Sequence, residues 1–490
     1  MKSIRLTLAL AGAILFSDLA ARAELSVPAI FGDNMVLQQQ MPVPVWGWAA
    51  PGAAVTVTFA RQTQSTHAGD DGKWLVKLGK LAASFTPQSL VIEAGETKTF
   101  TNILVGEVWL GSGQSNMEKP IGKQPGQKAT FNAEEQLAAA NYPNIRIFKI
   151  DKTLAATPQN ELPKNSGWLE CSSNSLDGIS FSAAAYFFGR EIHTNLNVPV
   201  GLVESSWGGT RIEPWTPPVG FEKIPSLAKL AKPIEGGAKL ANTRPLAIYN
   251  AMIAPITGFA MRGALWYQGE SNCMGTNDDD YLTYTDKMDA LVSGWRKVWG
   301  EGDFAFYFVQ IAPFKYHGAK VMRVKSPETL AEFWTLQSHA ARRIKNTGMV
   351  VTTDLVDNLD DIHPRDKANV GHRLALLALN KTYGQRVANS GPVFHSAKFS
   401  GGKAVLKFDH ADGGLVSKGG QSLTWFTVAG ADGKFVSAEA KIVGDTVEVF
   451  ASGVKEPKVV RFAWAETAQP NFFNGAGLPA EPFRTDDPWK

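Results

Sequence analysis

The stretch ILVGEVWLGSGQSNM, residues 103–117, decides the fold. Its first half is an apolar, strand-like run. Its second half is a glycine-rich turn in which Gly111 and Gly113 allow close backbone approach and Ser115 follows at the carboxyl end of the strand. Five more runs of the same strand-like kind lie downstream: IRIFKI (145–150), VPVGLVESS (198–206), MRGALWYQG (261–269), FAFYFVQIA (304–312) and GMVVTTDL (348–355). Helical patterns separate them, at 180–196, 284–300, 329–345 and 365–384. Strand and helix in alternation predict an α/β fold, a parallel sheet with helices on both faces. In such sheets ligands bind beyond the carboxyl ends of the strands, so the residues there carry the functional reading.

On either side of this region, 101–385, the pattern turns to short β runs broken by Gly, Pro, Asp and Asn. PVPVWGWA, AAVTVTFA, KWLVKL and SLVIEA predict an N-terminal β module over 24–100, with a hairpin turn at DDGKW. AVLKFDHA, LTWFTVAG, KIVGDTVEVF and VVRFAWA predict a second β module over 386–490. The segment 217–245, rich in Pro, Gly and Lys, interrupts the α/β pattern and reads as a surface excursion near the active edge. A length of 490 residues suits two or three domains rather than one.

The first 23 residues read as a signal peptide. Lys2 and Arg5 begin it, the apolar run Leu6 to Phe16 follows, and Ala21-Arg22-Ala23 is an A-x-A cleavage site. The expected location is therefore secreted or periplasmic, after cleavage near Ala23. With 49 basic against 46 acidic residues there is no electrostatic footprint for nucleic acid. No apolar run reaches the ~18 residues of a membrane span. Two cysteines, Cys171 and Cys273, allow at most one disulfide in an oxidising compartment.

Four strand ends hold chemistry. Ser115 suits a nucleophile whose own N–H points at a developing oxyanion, and equally suits a polar turn serine capping the next helix. ESSWGGTRIEPW (204–215) ends a strand in Gly208 and Gly209, which either present a backbone N–H to a ligand or simply bend the chain. WYQGESN (266–272) places Gln268, Glu270 and Asn272 on one loop, as oxyanion donors or as a plain polar loop. DNLDDIHPRDK (357–367) places His363 before Pro364, a residue favoured at the first helical position. That puts His363 at a helix N-terminus, where the dipole disfavours imidazolium. Asp360 and Asp361 stand ready to orient its ring or to cap the helix. Trp207, Trp215 and Trp266 offer flat faces to sugar rings or fill the core. No H-x-x-x-H or C-x-x-C pair supports a zinc site, and Asp278 to Asp280 reads as a solvated acidic loop.

VGEVWLGSGQSNM, ESSWGGTRIEPW, YNAMIAPITGFAMRGALWYQGESN and DIHPRDK together resemble the sialate O-acetylesterase family of the SGNH hydrolases. The tail from Val460 to Pro488 resembles the end of that family's chains. The resemblance implies an SGNH-hydrolase-like catalytic domain and a serine esterase that removes O-acetyl groups from sugars, with no metal or organic cofactor. It implies Ser115 as nucleophile and His363 as base. It also implies an orienting carboxylate three residues before the histidine, Asp360, with Asp361 as competitor. The oxyanion donors it implies are Ser115 and Gly208 N–H groups and a side chain from Gln268 or Asn272. Gln114, Arg211, Trp215 and Glu270 are the expected substrate contacts. The expected partner is an O-acetylated sugar or glycan, most readily sialic acid. Acetylated xylan or pectin is the second reading, and a catalytically silent carbohydrate-binding protein the third.

Overall fold

The computed structural model describes residues 24–274, 279–318 and 324–488; the expected signal peptide lies outside the described residues. The central sheet is built from seven strands: β1 (Thr97–Gly113), β2 (Asn141–Ile150), β3 (Asn165–Ser172), β4 (Val200–Ser206), β5 (Gly263–Tyr267), β6 (Ala305–Val309) and β7 (Thr347–Val350). Their spatial order is β7-β6-β5-β1-β4-β2-β3, parallel throughout except for the antiparallel pair β2–β3 at one edge.

Both faces of the sheet are buried, which is why the strands read as continuous apolar runs. Successive side chains point to opposite faces. Trp109, Leu265, Tyr267, Tyr307 and Val309 join one core cluster with helices α1 (Ala183–Leu196) and α4 (Lys367–Leu377). Leu110, Ala264, Trp266, Phe306 and Phe308 join the other, with helices α2 (Tyr284–Trp299) and α3 (Thr329–Arg343). Ser182 caps α1 by accepting the Ala185 N–H, and Gly300 ends α2 in a left-handed conformation. Among the described residues no helix is long and apolar enough to cross a membrane.

One expected boundary needs correction. The division at residue 100 falls inside β1, which runs unbroken from the N-terminal β module into the central sheet. Its first part pairs with Ser84–Glu93 and with Val36–Gln38, its last part with β4 and β5. Glu107 seals the junction, accepting hydrogen bonds from Gln38, Gln39, Arg262 and Tyr383. Cys171 and Cys273 are both free thiols, each buried in a different core cluster, so no disulfide joins them. Burial pushes the Cys171 thiol up to about 12.

The C-terminal module holds an antiparallel sheet formed by Val393–Ser400, Lys403–Asp409, Thr446–Phe450 and Glu439–Val443, and a second one built on Phe426–Ala429 and Val459–Phe462. Rings of Phe408, Phe426, Phe462, Phe472 and Phe483 fill the space between them. The 217–245 excursion packs its own small core, Phe221, Ile224, Leu227 and Ile234, against Ala290 of α2.

Gly113 is the residue on which the sheet's carboxyl edge turns. Its φ is +136°, and a Cβ there would lie 2.2 Å from the Tyr267 carbonyl oxygen of the adjacent strand. Gly113→Ala is expected to destabilise the fold by on the order of 3 kcal/mol through backbone strain and overlap. Chemical denaturation of the variant checks this.

Candidate active site

Three neighbouring strands end level. Ser206 of β4 and Tyr267 of β5 both stand opposite Gly113 of β1. The loops after them therefore leave from one edge and are tied together. Gln114 N–H donates to the Tyr267 carbonyl at 2.9 Å, and Trp207 N–H to the Gly113 carbonyl at 3.0 Å. Ser115 opens a single helical turn, Ser115–Glu118, so its N–H has no partner within that turn.

His363 reaches this edge from the loop after β7. Its Nε2 lies 2.9 Å from Ser115 Oγ, the geometry of a nucleophile and its base. The helix after it starts later than the Pro364 signal implies. α4 opens at Lys367, with Asp366 as N-cap accepting the Asn369 N–H at 3.0 Å. His363 thus stands outside the first turn, and another cause keeps its ring neutral. Burial, reinforced by the Lys367 ammonium and only partly offset by Asp361, lowers its pKa to about 4.

The two aspartates separate cleanly. Asp361 Oδ1 accepts the His363 backbone N–H at 3.0 Å and lies 3.7 Å from the ring Nδ1, too far for a hydrogen bond. The Asp360 side chain is 68% exposed and bonded to Lys315 at 2.9 Å, turned away from the imidazole. A spacing of three residues therefore does not deliver the carboxylate, because Asp360 has a cation of its own.

Most of the other expected site residues belong to the scaffold. Gln268 donates to the Thr210 carbonyl (3.1 Å) and to Asn272 Oδ1 (2.8 Å), and accepts from Tyr284. Asn272 donates to Glu213 at 3.1 Å and accepts the Ile212 N–H at 2.9 Å. Both side chains are fully buried, and their amides bond to these partners. Glu270 is also buried, accepting from Asn116 Nδ2 at 2.5 Å. Arg211 is held by Glu213 and Asp280, and Lys287 joins the same carboxylates at 2.8 and 2.9 Å. Asp280 is thereby an ion-pair partner rather than a solvated acid. Trp215 is fully buried, its ring edge-on to Trp266, and cannot stack on a sugar. Trp207 remains half-buried at the edge.

Gly208 lies against the nucleophile, since a Cβ on it would come 3.1 Å from the Ser115 Cβ. Its N–H donates to Glu118 Oε2 at 2.8 Å, and Glu118 Oε1 pairs with Lys152 at 2.5 Å. A carboxylate oxygen thus occupies the position of an acceptor beside Ser115. Gln114 is buried with its Oε1 facing the Gly269 and Ser271 N–H groups at 3.4 and 3.3 Å. Its amide nitrogen has no partner among the described residues. Sequence reasoning missed Asn116 and Lys367, which stand behind Ser115. Both lie inside quoted motifs, but nothing in their spacing signals that they meet. Among the described residues no three His, Cys, Asp or Glu side chains converge as a metal-ligating group.

The profile of a protein family described as carbohydrate esterase, sialic acid-specific acetylesterase, matches residues 105–380. Human sialate O-acetylesterase is 30% identical over 433 residues, 81% of this chain and 79% of its own. The rat enzyme of the same name is 29% identical over 418 residues, 73% of this chain and 74% of its own. The crystal structure of a carbohydrate acetylesterase from Xanthomonas citri superimposes with a TM-score of 0.84 at 35% identity, covering 95% of this chain and 100% of the other.

A buried base with a lowered pKa has a measurable signature. NMR titration of the His363 imidazole is expected to give a midpoint near 4. A midpoint near the unperturbed ~6.5 would show a solvated ring.

Proposed function

We propose, because the chain belongs to the sialic acid-specific acetylesterase family of carbohydrate esterases and is a carboxylic ester hydrolase, that it removes O-acetyl groups from sialic acid with Ser115 and His363 as its catalytic pair. The observation that carries this reading is the 2.9 Å contact between His363 Nε2 and Ser115 Oγ at the carboxyl edge of the sheet.

The chemistry follows from the groups present. His363, neutral at physiological pH, takes the Ser115 proton as Oγ attacks the acetyl carbonyl. The resulting oxyanion is received by the Ser115 N–H, by the Gly208 N–H once Glu118 withdraws toward Lys152, and by the free amide of Gln114. Imidazolium then returns the proton to the departing sugar hydroxyl, leaving an acetyl-enzyme. Water, deprotonated by the same imidazole, releases acetate and restores Ser115. Asp361 supports the turn that carries His363 and supplies a negative charge when the imidazolium forms.

Support for an acidic sugar comes from the cleft beside the pair. A cavity of about 540 Å³ is lined by Lys123, Gln124, Pro125, Gly126, Gln127, Lys128 and Asp361. Arg211 is consumed internally, so Lys123 and Lys128 are the cations that face this space and would receive a substrate carboxylate. We also infer export, on the basic start, apolar run and A-x-A site of the first 23 residues.

Ser115→Ala and His363→Ala are each expected to lower kcat for acetate release from O-acetylated sialic acid by at least ~10³-fold. Near-normal turnover in purified Ser115→Ala would end this reading. Replacing Lys123 and Lys128 together by Ala is expected to raise KM for O-acetylated sialic acid by roughly tenfold, while hydrolysis of p-nitrophenyl acetate stays within about twofold. Equal rates on acetylated xylan and acetylated sialic acid, unchanged in the double variant, would instead favour a neutral polysaccharide substrate.

A further inference from the structure

Behind Ser115 and His363, away from solvent, lies a polar cluster that the acyl-transfer steps do not use. Lys367 is fully buried at the start of α4. Its Nζ donates to the Pro364 carbonyl at 2.9 Å and to Asn116 Oδ1 at 2.8 Å, and lies 5.1 Å from the Tyr267 ring centroid. Asn116 Nδ2 donates in turn to the Ile362 carbonyl at 3.0 Å and to Glu270 Oε1 at 2.5 Å. The other Glu270 oxygen is buried and has no partner among the described residues.

The pattern of these bonds is specific. The two carbonyls held belong to the residues immediately before and after His363. The amide that holds one of them belongs to the residue immediately after Ser115. An apolar group of the same volume would fill this space at lower desolvation cost than a buried ammonium and carboxylate. What the polar cluster adds is a fixed distance between the nucleophile's strand end and the base's loop. Asp361, 3.7 Å from Nδ1, does not supply that constraint through the ring.

We propose that Lys367 and Asn116, backed by Glu270, are the positioning residues that hold the His363 imidazole on Ser115, by clamping the backbone on both sides of the histidine. This rests on the reading of Ser115 and His363 as the catalytic pair. A displacement of ~1 Å in a reacting group costs about 10²-fold in rate, which is the scale of effect expected when the clamp is broken.

The clamp also sets the charge around the base. His363 is faced by Lys367, Lys119, Asp361 and Glu118; Lys367 is faced by Lys119, Glu270, Asp366 and Asp361. Burial, with Lys119 beside it, brings Lys367 down to about 7. Below that pH it carries its charge and opposes protonation of His363. Removing it makes imidazolium easier to form, so the acid limb of activity moves to higher pH. Removing the Asp361 charge moves it the other way.

The test uses the full chain, with p-nitrophenyl acetate as probe and melting temperature as the check on folding. Lys367→Met is expected to lower kcat by about 10²-fold with KM within about threefold, and to move the acid limb up by about half a pH unit or more. Asn116→Ala is expected to lower kcat by at least ~10-fold with the limb in place. Asp361→Asn is expected to cost less in kcat than Lys367→Met and to move the limb down. A folded Lys367→Met with kcat within about threefold of wild type, or one that loses activity with its acid limb unmoved, overturns the proposal. So does Asp361→Asn falling to the level of Ser115→Ala. Should Lys367→Met not fold, the Asn116→Ala and Asp361→Asn arms decide: normal kcat in the first or abolished kcat in the second overturns the clamp. Ser115→Ala that keeps its activity defeats the esterase reading itself. An inert Ser115→Ala beside a fully active Lys367→Met defeats only the clamp.

Discussion

Ser115 Oγ and His363 Nε2 meet at 2.9 Å across 248 residues of chain, and much of the molecule bears on that distance. One partner is fixed by the sheet, since Gln114 bonds to the Tyr267 carbonyl and Gly113 leaves no room for a side chain. The other is fixed by braces from several directions. Arg365 Nε reaches the Ala129 carbonyl at 2.9 Å, and the Lys315 N–H holds the Leu359 carbonyl at 3.1 Å. The C-terminal segment adds its own: Gln469 donates to the Val356 carbonyl at 2.7 Å, and Glu466 accepts the His317 N–H at 2.8 Å. The C-terminal β module therefore braces the segment that leads to His363.

The electrostatics follow the same economy. Several charges near the site are tied up within the scaffold, Arg211 and Lys287 by Glu213 and Asp280 among them. Burial would raise Glu213, but Lys287 and Arg211 outweigh it and hold the carboxyl below its usual range. At Glu270 burial outweighs the Asn116 hydrogen bond and the Lys367 charge and pushes the carboxyl up. His363 is kept neutral by the same desolvation, so the base is ready to accept a proton without first losing one.

The sheet was legible because its strands are buried on both faces and its helices carry long apolar stripes; the 284–300 and 329–345 patterns match Tyr284–Trp299 and Thr329–Arg343 nearly to the residue. The meeting of Ser115 and His363 was legible for a topological reason, since both follow parallel strands and must emerge at one edge. What the pattern could not reveal is where a polar side chain on those loops points. Gln268, Asn272 and Arg211 are of the right type for substrate work, yet each has a partner within the scaffold that satisfies it first. The helix start was misplaced because Pro364 competes with Asp366, and a side chain that accepts the Asn369 N–H wins over a proline that merely tolerates the first turn. Asn116 and Lys367 escaped notice because their significance is a contact over 251 residues.

These commitments have a consequence for how a substrate is read. The strand-end loops spend most of their polar side chains on holding one another, which leaves little with which to recognise a sugar. In the proposed reading, recognition falls to segments outside the frame. The 121–128 loop is such a segment: Lys119 Nζ grips its Lys128 carbonyl from within, while Lys123 and Lys128 stay exposed over the cleft next to Asp361. In that reading, the frame that meets the acetyl group and the basic rim that meets the rest of the molecule are separable by sequence. Chains that keep the Ser115–His363 frame while changing this loop would retain ester hydrolysis and exchange one acetylated sugar for another.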